Sequence, residues 1–419
     1  MSIQAQPPRF RETLLLLTLA AVQFTHIMDF MIMMPLGPEF MRSFHISPTA
    51  FGFLVSVYSF SAGAMGFAAG FFMDKFDRKR ALLVLYSGFV LGTLCCALAP
   101  NYATLLFARA VAGGFGGVSA SVILAIVGDV IPFERRGQAM GMIMTAFSLA
   151  SILGLPVGLK FKELFSWHAP FLLLVGLGVA VILVGRRVLP ALPPHGHATA
   201  HDAWEQMRVI VTHPNHHRAF ALIAALTGSS ALIYPYLTPS MVSNAGLPES
   251  YMSLIYIFGG GATLATSPYF GRLADRLGKL KVFTWLILLS LIPTLAIANL
   301  VPVPVWVVLL ITTSYMIFTS GRFVPAMALI TASVEPRYRG GFMSVNSAVQ
   351  QIAAGVATSV AAVLVSSDEH GRLVGYPRAG WLSLAMVLAS VAIIRHLRVA
   401  GPAAAPGALE VEPAVESVG

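Results

Sequence analysis

The sequence predicts an all-α membrane protein whose twelve transmembrane helices form two pseudo-symmetric six-helix bundles. Three observations carry that prediction. Hydrophobic residues make up 57% of the 419 positions and charged residues only 11%, and a water-soluble domain cannot carry such a composition on its surface. Apolar runs of the ~20 residues that a bilayer core requires begin near Thr13, Phe51, Ala81, Ala103, Gln138, Ala169, Ala219, Tyr251, Val282, Pro304, Gly341 and Gly380, six on each side of a polar segment. One loop is also written twice: Gly70-Phe71-Phe72-Met73-Asp74-Lys75-Phe76-Asp77-Arg78-Lys79-Arg80 leaves the second run, and Gly271-Arg272-Leu273-Ala274-Asp275-Arg276-Leu277-Gly278-Lys279-Leu280-Lys281 leaves the eighth, 201 residues later. A tandem duplication of this kind builds two lobes.

The first run is too long for a cleaved signal peptide and lacks a small-residue cleavage site, so it is the first span. The expected organisation is a short N-terminus (1–12), a bundle (13–189), a linker (190–218), a second bundle (219–398) and a disordered Ala-, Pro- and Glu-rich tail (399–419). An even number of spans puts both termini on one side. Of the 27 Lys and Arg, twenty fall on that side, five opposite (Arg42, Lys160, Lys162, Arg372, Arg378), and Arg109 and Arg322 lie inside spans. The positive-inside rule then makes the termini and linker cytoplasmic, in the plasma (inner) membrane. The net charge of +9 is thereby an orientation signal in short loops, not a nucleic-acid-binding face. Trp167, Trp306 and Trp381 fall at the outer ends of spans, where interfacial aromatics belong.

Cys95 and Cys96 are adjacent in an apolar run and read as structural, since neighbours bridge only with strain and two ligands do not complete a metal site. The linker holds six of the eleven histidines (His195, His197, His201, His213, His216, His217). A metal-binding tract is one reading; a solvated linker that tolerates histidine is the other, favoured because no Cys or acidic cluster completes a ligand set. No metal and no cofactor is expected. Asp202 to Val211 is predicted to form a short surface helix.

In each copy of the repeated loop the glycine, Gly70 or Gly271, allows close helix approach. The aspartate, Asp74 or Asp275, accepts backbone hydrogen bonds or favours a helix N-terminus. The cations that follow, among them Arg78 and Lys279, anchor at anionic headgroups. Orientation alone explains the cations but not the matched glycine and aspartate. A second repeat agrees: Pro132-Phe133-Glu134-Arg135-Arg136-Gly137 after span four is echoed by Pro336-Arg337-Tyr338-Arg339-Gly340 after span ten.

With these motifs the chain resembles the major facilitator superfamily over essentially its whole span region, from about Thr13 to Arg398. The first loop departs from the family pattern at Asp77, where glycine is usual. The resemblance implies two six-helix bundles around a cavity lined by spans one, four, seven and ten, with rocker-switch alternating access; no enzyme is expected, since the sequence carries no nucleotide-binding loop, metal-ligand cluster or nucleophile motif. It implies that the Asp74 and Asp275 loops hold the cytoplasmic gate when the outer side is open. Asp129, with Arg135 or Arg136, is the expected partner of the first loop; the alternative is a structural ion pair without gating.

Asp29 is the carboxylate deep within a span, where an ionised group costs a few kcal/mol at least. At 1.5 Å per residue it lies ~24 Å from the cytoplasmic face, and Arg109, on a span running the other way, lies ~20 Å from it. At matched depth the two can pair, and a proton or cationic substrate can release them. His26, three residues before Asp29, shares its helical face. Two readings stay open for it: a proton relay, or a histidine bonded to a neighbouring carbonyl. Arg109-Ala110-Val111-Ala112-Gly113-Gly114 also resembles the span-four arginine and small residues that the family links to proton coupling in antiporters. Arg322 lies closer to the cytoplasm than the repeat-equivalent position near Thr312 and precedes Pro325. Contact with a substrate anion and simple snorkelling are both open for it.

Gly154-Leu155-Pro156-Val157-Gly158 in span five, followed by Ser166-Trp167-His168-Ala169-Pro170-Phe171, is similar to an element of efflux members of the family, the bacterial drug:proton antiporters and sugar-efflux permeases. Leu155 intervenes where those have Gly directly before Pro, and a kinked, tightly packed helix is the alternative. Candidate cavity residues are mostly neutral: Phe24, Met28 and Met33 near Asp29, Tyr234 and Tyr236 in span seven, Asn346 and Gln350 in span eleven. Adaptable Met and aromatic walls suit a lipophilic solute. The expected function is proton-coupled efflux of small amphipathic organic molecules by a monomer, with the bilayer, protons and the substrate as partners. A sugar or metabolite permease of the same fold, and a non-transporting receptor or assembly factor, are the rivals.

Overall fold

The computed structural model describes residues 9–69, 76–132, 135–192 and 200–398. Gly70, Asp74, His195, His197 and the tail from 399 lie outside them. The first lobe crosses six times: α1 (Arg9–Ile32) extended by the short α2 (Gly37–Ser43), then α3 (Pro48–Ala69), α4 (Arg78–Ala97), α5 (Tyr102–Val130), α6 (Arg136–Leu149) running through a π-turn at Ala150–Gly154 into α7 (Leu155–Leu164), and α8 (Ala169–Val188). After α9 (Ala200–Thr212) in the linker, the second lobe follows as α10 (Pro214–Ala231) extended by α11 (Tyr234–Ser243), α12 (Met252–Leu277), α13 (Lys279–Ala298), α14 (Val305–Ala332), α15 (Arg339–Leu364) and α16 (Tyr376–Arg395). Eleven of these crossings are long and apolar enough to span a membrane. The twelfth, α12, has the length, 26 residues, but Gly, Ser, Thr and Tyr dilute its hydropathy.

The linker helix is longer than the predicted Asp202 to Val211, and the seventh crossing starts at Pro214 rather than beyond Arg218. Proline suits the first helical turn, and His213 caps it, its Nδ1 accepting from the Asn215 amide at 3.2 Å.

Each lobe breaks its first crossing at the same place. Pro35 and Pro38 separate α1 from α2, and Pro235 and Pro239 interrupt the seventh crossing 200 and 201 residues later. A proline leaves the carbonyl four residues back without its helical donor. In the second lobe that carbonyl is Ala231, four before Pro235, and Thr358 donates to it at 3.3 Å; Tyr376 donates to Ile233 within the break at 2.9 Å and Ser383 to Ser229 just before it at 2.7 Å.

Small residues set the helix spacing. A Cβ on Gly113 of α5 would stand 2.3 Å from the Tyr58 carbonyl of α3, and one on Gly92 of α4 would stand 2.7 Å from the Ala112 amide. Between the lobes, α3 meets α15, where a Cβ on Gly52 would lie 2.4 Å from both Ala362 Cβ and the Tyr236 hydroxyl. The π-turn meets α12, where a Cβ on Gly260 would stand 2.7 Å from Ser151 Cβ.

The hydrophobic cores show which end is shut. One joins both lobes, with Ile32, Phe40 and Phe51 packed in the same cluster as Tyr236, Leu237 and Tyr376. It lies at the end opposite the termini, the far side. Two others stay within single lobes, one around Leu19, Phe89 and Val122 and one around Leu222, Phe283 and Ile330. The lobes are therefore closed together on the far side. Trp306 and Trp381 are exposed there, at 68% and 59%, as interfacial residues should be. Trp167 is instead buried among Phe40, Phe44 and Phe171.

Candidate functional site

Arg109 reaches Asp29 because α5 is thin where they meet. Ala112 and Gly113 follow the arginine by one turn and let α5 sit against α4 and α3. Arg109 Nη1 donates to Asp29 Oδ2 at 2.6 Å, and both side chains are fully buried. Thr93 of α4 donates to the other carboxylate oxygen at 3.3 Å. The guanidinium lies over the Tyr58 ring, 4.4 Å from its centroid, while its Nε and Nη2 have no hydrogen-bond partner. A charge in a membrane interior is retained only when compensated, and here compensation comes from three other helices. The pair lies one turn before α1 breaks.

His26 is close by in sequence but turned elsewhere. Its ring packs edge-on against Phe89, 4.1 Å between centroids, and against Tyr86 at 5.6 Å, and Nε2 has no partner. No hydrogen bond joins it to Asp29 in this state.

The expected cavity residues divide into two groups. Met28 and Phe24 pack on the glycine face of span five: a Cβ on Gly154 would stand 3.1 Å from Met28 Sδ and from Phe24 Cζ. Met33 is buried in the far-side core, and the Tyr236 hydroxyl donates to the Pro48 carbonyl of the other lobe at 2.7 Å. Tyr234, Asn346 and Gln350 form the second group. Tyr234 is partly buried, 5.5 Å ring to ring from Tyr315; Asn346 is buried with Oδ1 unpartnered; Gln350 is partly buried.

The second lobe has its own buried arginine. Arg322 Nη2 donates to Ser229 Oγ at 2.8 Å and Ser230 Oγ at 3.0 Å, Nη1 reaches Ser290 Oγ at 3.4 Å, and Nε has no acceptor. It does not snorkel.

At the terminus side, Arg78 Nε lies 3.6 Å from Asp129 Oδ2. Arg135, expected near the first loop, instead meets Glu12 of α1 at 2.8 Å. Arg136 opens α6, its side chain outside the description. Asp275 meets Lys279 one turn on, at 3.7 Å, and a Cβ on Gly271 would make only ordinary contact with Val324, at 3.7 Å. Each of these pairs stays within one lobe.

The far side carries a latch whose partners the sequence did not reveal. Glu249, in the loop before α12, accepts from Lys162 at the end of α7 at 2.6 Å and from Arg42 of α2 at 2.7 Å. Glu39 meets the same two cations at 3.2 and 3.0 Å. Burial pushes both carboxyls up, but the hydrogen bonds and charges of Lys162 and Arg42 outweigh it, so both sit below their ordinary value. The only signal in the sequence is the crowding of charge into otherwise sparse far-side loops.

Comparisons place this architecture among known proteins. The Major Facilitator Superfamily profile matches residues 19–265 and 218–416. The uncharacterized MFS-type transporter YceJ of Bacillus subtilis (strain 168) is 25% identical over 364 residues, 85% of this chain and 90% of its own. A bacterial homolog of the human lysosomal transporter Spinster, solved inward-facing and occupied, superposes with TM-score 0.72 at 14% identity over 92% of this chain and 96% of that one. Its inward-facing, unoccupied form superposes with TM-score 0.68 at 16% identity over 93% and 95%. At these identities the likeness concerns the fold.

Proposed function

We infer the activity of this chain from one established premise: it belongs to the Major Facilitator Superfamily, and it is a multi-pass membrane transporter of small molecules, not an enzyme. Our reading is proton-coupled export of small amphipathic organic molecules by alternating access. The observation that carries it is the buried Asp29–Arg109 pair, built on the one carboxylate deep within a span among the described residues.

With twenty of 27 Lys and Arg on the terminus side, the termini face the cytoplasm and the latch faces outward. In the far-side-closed state Asp29 is held by Arg109, the form of an antiporter ready to take substrate from the cytoplasm. When the outer side opens, a proton arriving at Asp29 removes its charge and weakens the hold of Arg109, and the carboxyl then returns the proton inward. Asp74, Asp129, Asp275 and their basic neighbours close the opposite gate in that second state. Met, Phe and Tyr side chains at the lobe interface suit lipophilic solutes.

Proteoliposomes under an imposed pH gradient test this. Lipophilic aromatic compounds should accumulate against their gradient while protons run down theirs. Flux of sugars alone, or flux indifferent to the pH gradient, would replace the reading with that of a permease.

A further inference from the structure

We propose that Arg322 anchors a substrate-binding site for a carboxylate or similar monoanionic head group, which deepens the export reading above and rests on it. The substrate class then becomes amphipathic organic anions. A buried guanidinium needs a counter-charge, and in the first lobe Arg109 has one in Asp29. The second lobe supplies none among the described residues: Glu205, Glu249, Asp275, Glu335, Asp368 and Glu369 all lie in the linker, in loops or at a helix end. Among the described residues no carboxylate pairs with Arg322, although it is 1% exposed.

The repeat makes the difference specific. Asp29 displaced by the 201 residues that separate the repeated loops becomes Ser230, and Ser230 is one of the groups that Arg322 touches. A serine thus stands in the second lobe where the first has its acid, and the arginine that reaches it, Arg322, lies beyond the position equivalent to Arg109, near Thr312. The serines act as oriented acceptors, since each spends its own proton on a backbone carbonyl: Ser229 and Ser230 donate to Leu226 at 2.8 and 3.2 Å, and Ser290 to Ile287 at 2.7 Å. Neutral hydroxyls fix the guanidinium in place without cancelling its charge, and Nε–H has no acceptor at all. The site adjoins the break between α10 and α11, two residues past Ser230, and discontinuous helices are where transporters of this kind hold charged groups of their solutes. Asp29, by contrast, is already paired with Arg109, so the buried charge left uncompensated among the described span residues is the guanidinium of Arg322.

The test uses full-length protein in nanodiscs at pH 8 and three tritiated probes of matched size: 4-hexylbenzoate, 4-hexylbenzamide and 4-hexylbenzylammonium. Benzoate should bind at least tenfold tighter than the amide, about 1.4 kcal/mol, and the cation weakest. R322M should erase the preference while still binding the amide, and R322K should keep part of it. Equal binding of benzoate and amide by the wild type, tighter binding of the cation, or an undiminished preference in R322M overturns the proposal. If the folded wild type binds none of the three, the export reading itself fails; if it binds only the amide or the cation, export stands and the anion site does not.

Discussion

An ionised carboxylate and a guanidinium that are both out of reach of water hold each other in place, and each is costly alone. Either single removal strands a charge: Asn at position 29 leaves a buried guanidinium that cannot shed its proton, and Ala at 109 leaves a buried carboxylate without its cation. D29N and R109A should therefore each destabilise the purified protein by about 3–5 kcal/mol, and D29N/R109Q should recover much of the loss; thermal unfolding in one detergent compares the three. R109A as stable as wild type would contradict the pair. Asp29 and Arg109 were legible in the sequence because charge is rare in apolar spans and the helical rise fixes depth. The serines around Arg322 were not, since serine is common in membrane helices and only the fold brings residues 229, 230 and 290 together. Helical spacing alone suggested a His26–Asp29 contact, but Phe89 and Tyr86 capture the imidazole.

The two copies of the repeated loop solve one turn in two ways. Gly278 takes φ +93°, which only glycine adopts cheaply. Asp77, its counterpart, stays at φ −58° and caps α4, accepting from the Arg80 amide at 2.8 Å and the Leu192 amide at 2.9 Å. G278A should cost about 1–2 kcal/mol through backbone strain, and D77A about 1 kcal/mol through the lost cap, both read from unfolding midpoints. The departure at Asp77 thus marks a tie to the start of the linker. At the lobe contact, G52V would drive a branched side chain into Ala362 and the Tyr236 hydroxyl. Spin labels on the far-side ends of α3 and α15 should report a population shifted to longer distances, and an unchanged distance would mean that α3 and α15 do not close against each other there. The prolines that break spans one and seven were in the sequence at matched offsets, but their meaning needed the side chains that take up the freed carbonyls.

At the scale of the molecule, the far-side latch and shared core hold the lobes together at one end, while the ion pairs described at the other end stay within lobes. The latch charges are partly exposed and screened, so E249Q should shift the closed–open balance by about 1 kcal/mol, roughly fivefold. Glu39 and Glu249 are lowered from 4.5 when latched and return to it when released. The latch's contribution is therefore full above that value and is lost as pH falls through the lowered ones. Far-side spin-label distances should hold steady from neutral pH to about 5 and lengthen only under stronger acid; lengthening near pH 7 would rule out these carboxylates. Twelve spans, two lobes and the duplication were readable from composition and repeats. Which end is closed was not, because closure depends on contacts between distant loops such as Lys162 with Glu249.

The central claim is that one carboxylate couples the proton gradient to solute movement. The direct measurement is pH-gradient-driven solute flux in proteoliposomes containing wild type or D29N, each shown to be folded and to bind solute. Wild type should accumulate solute against its gradient, and D29N should only equilibrate it. Undiminished uphill transport by D29N would contradict the account.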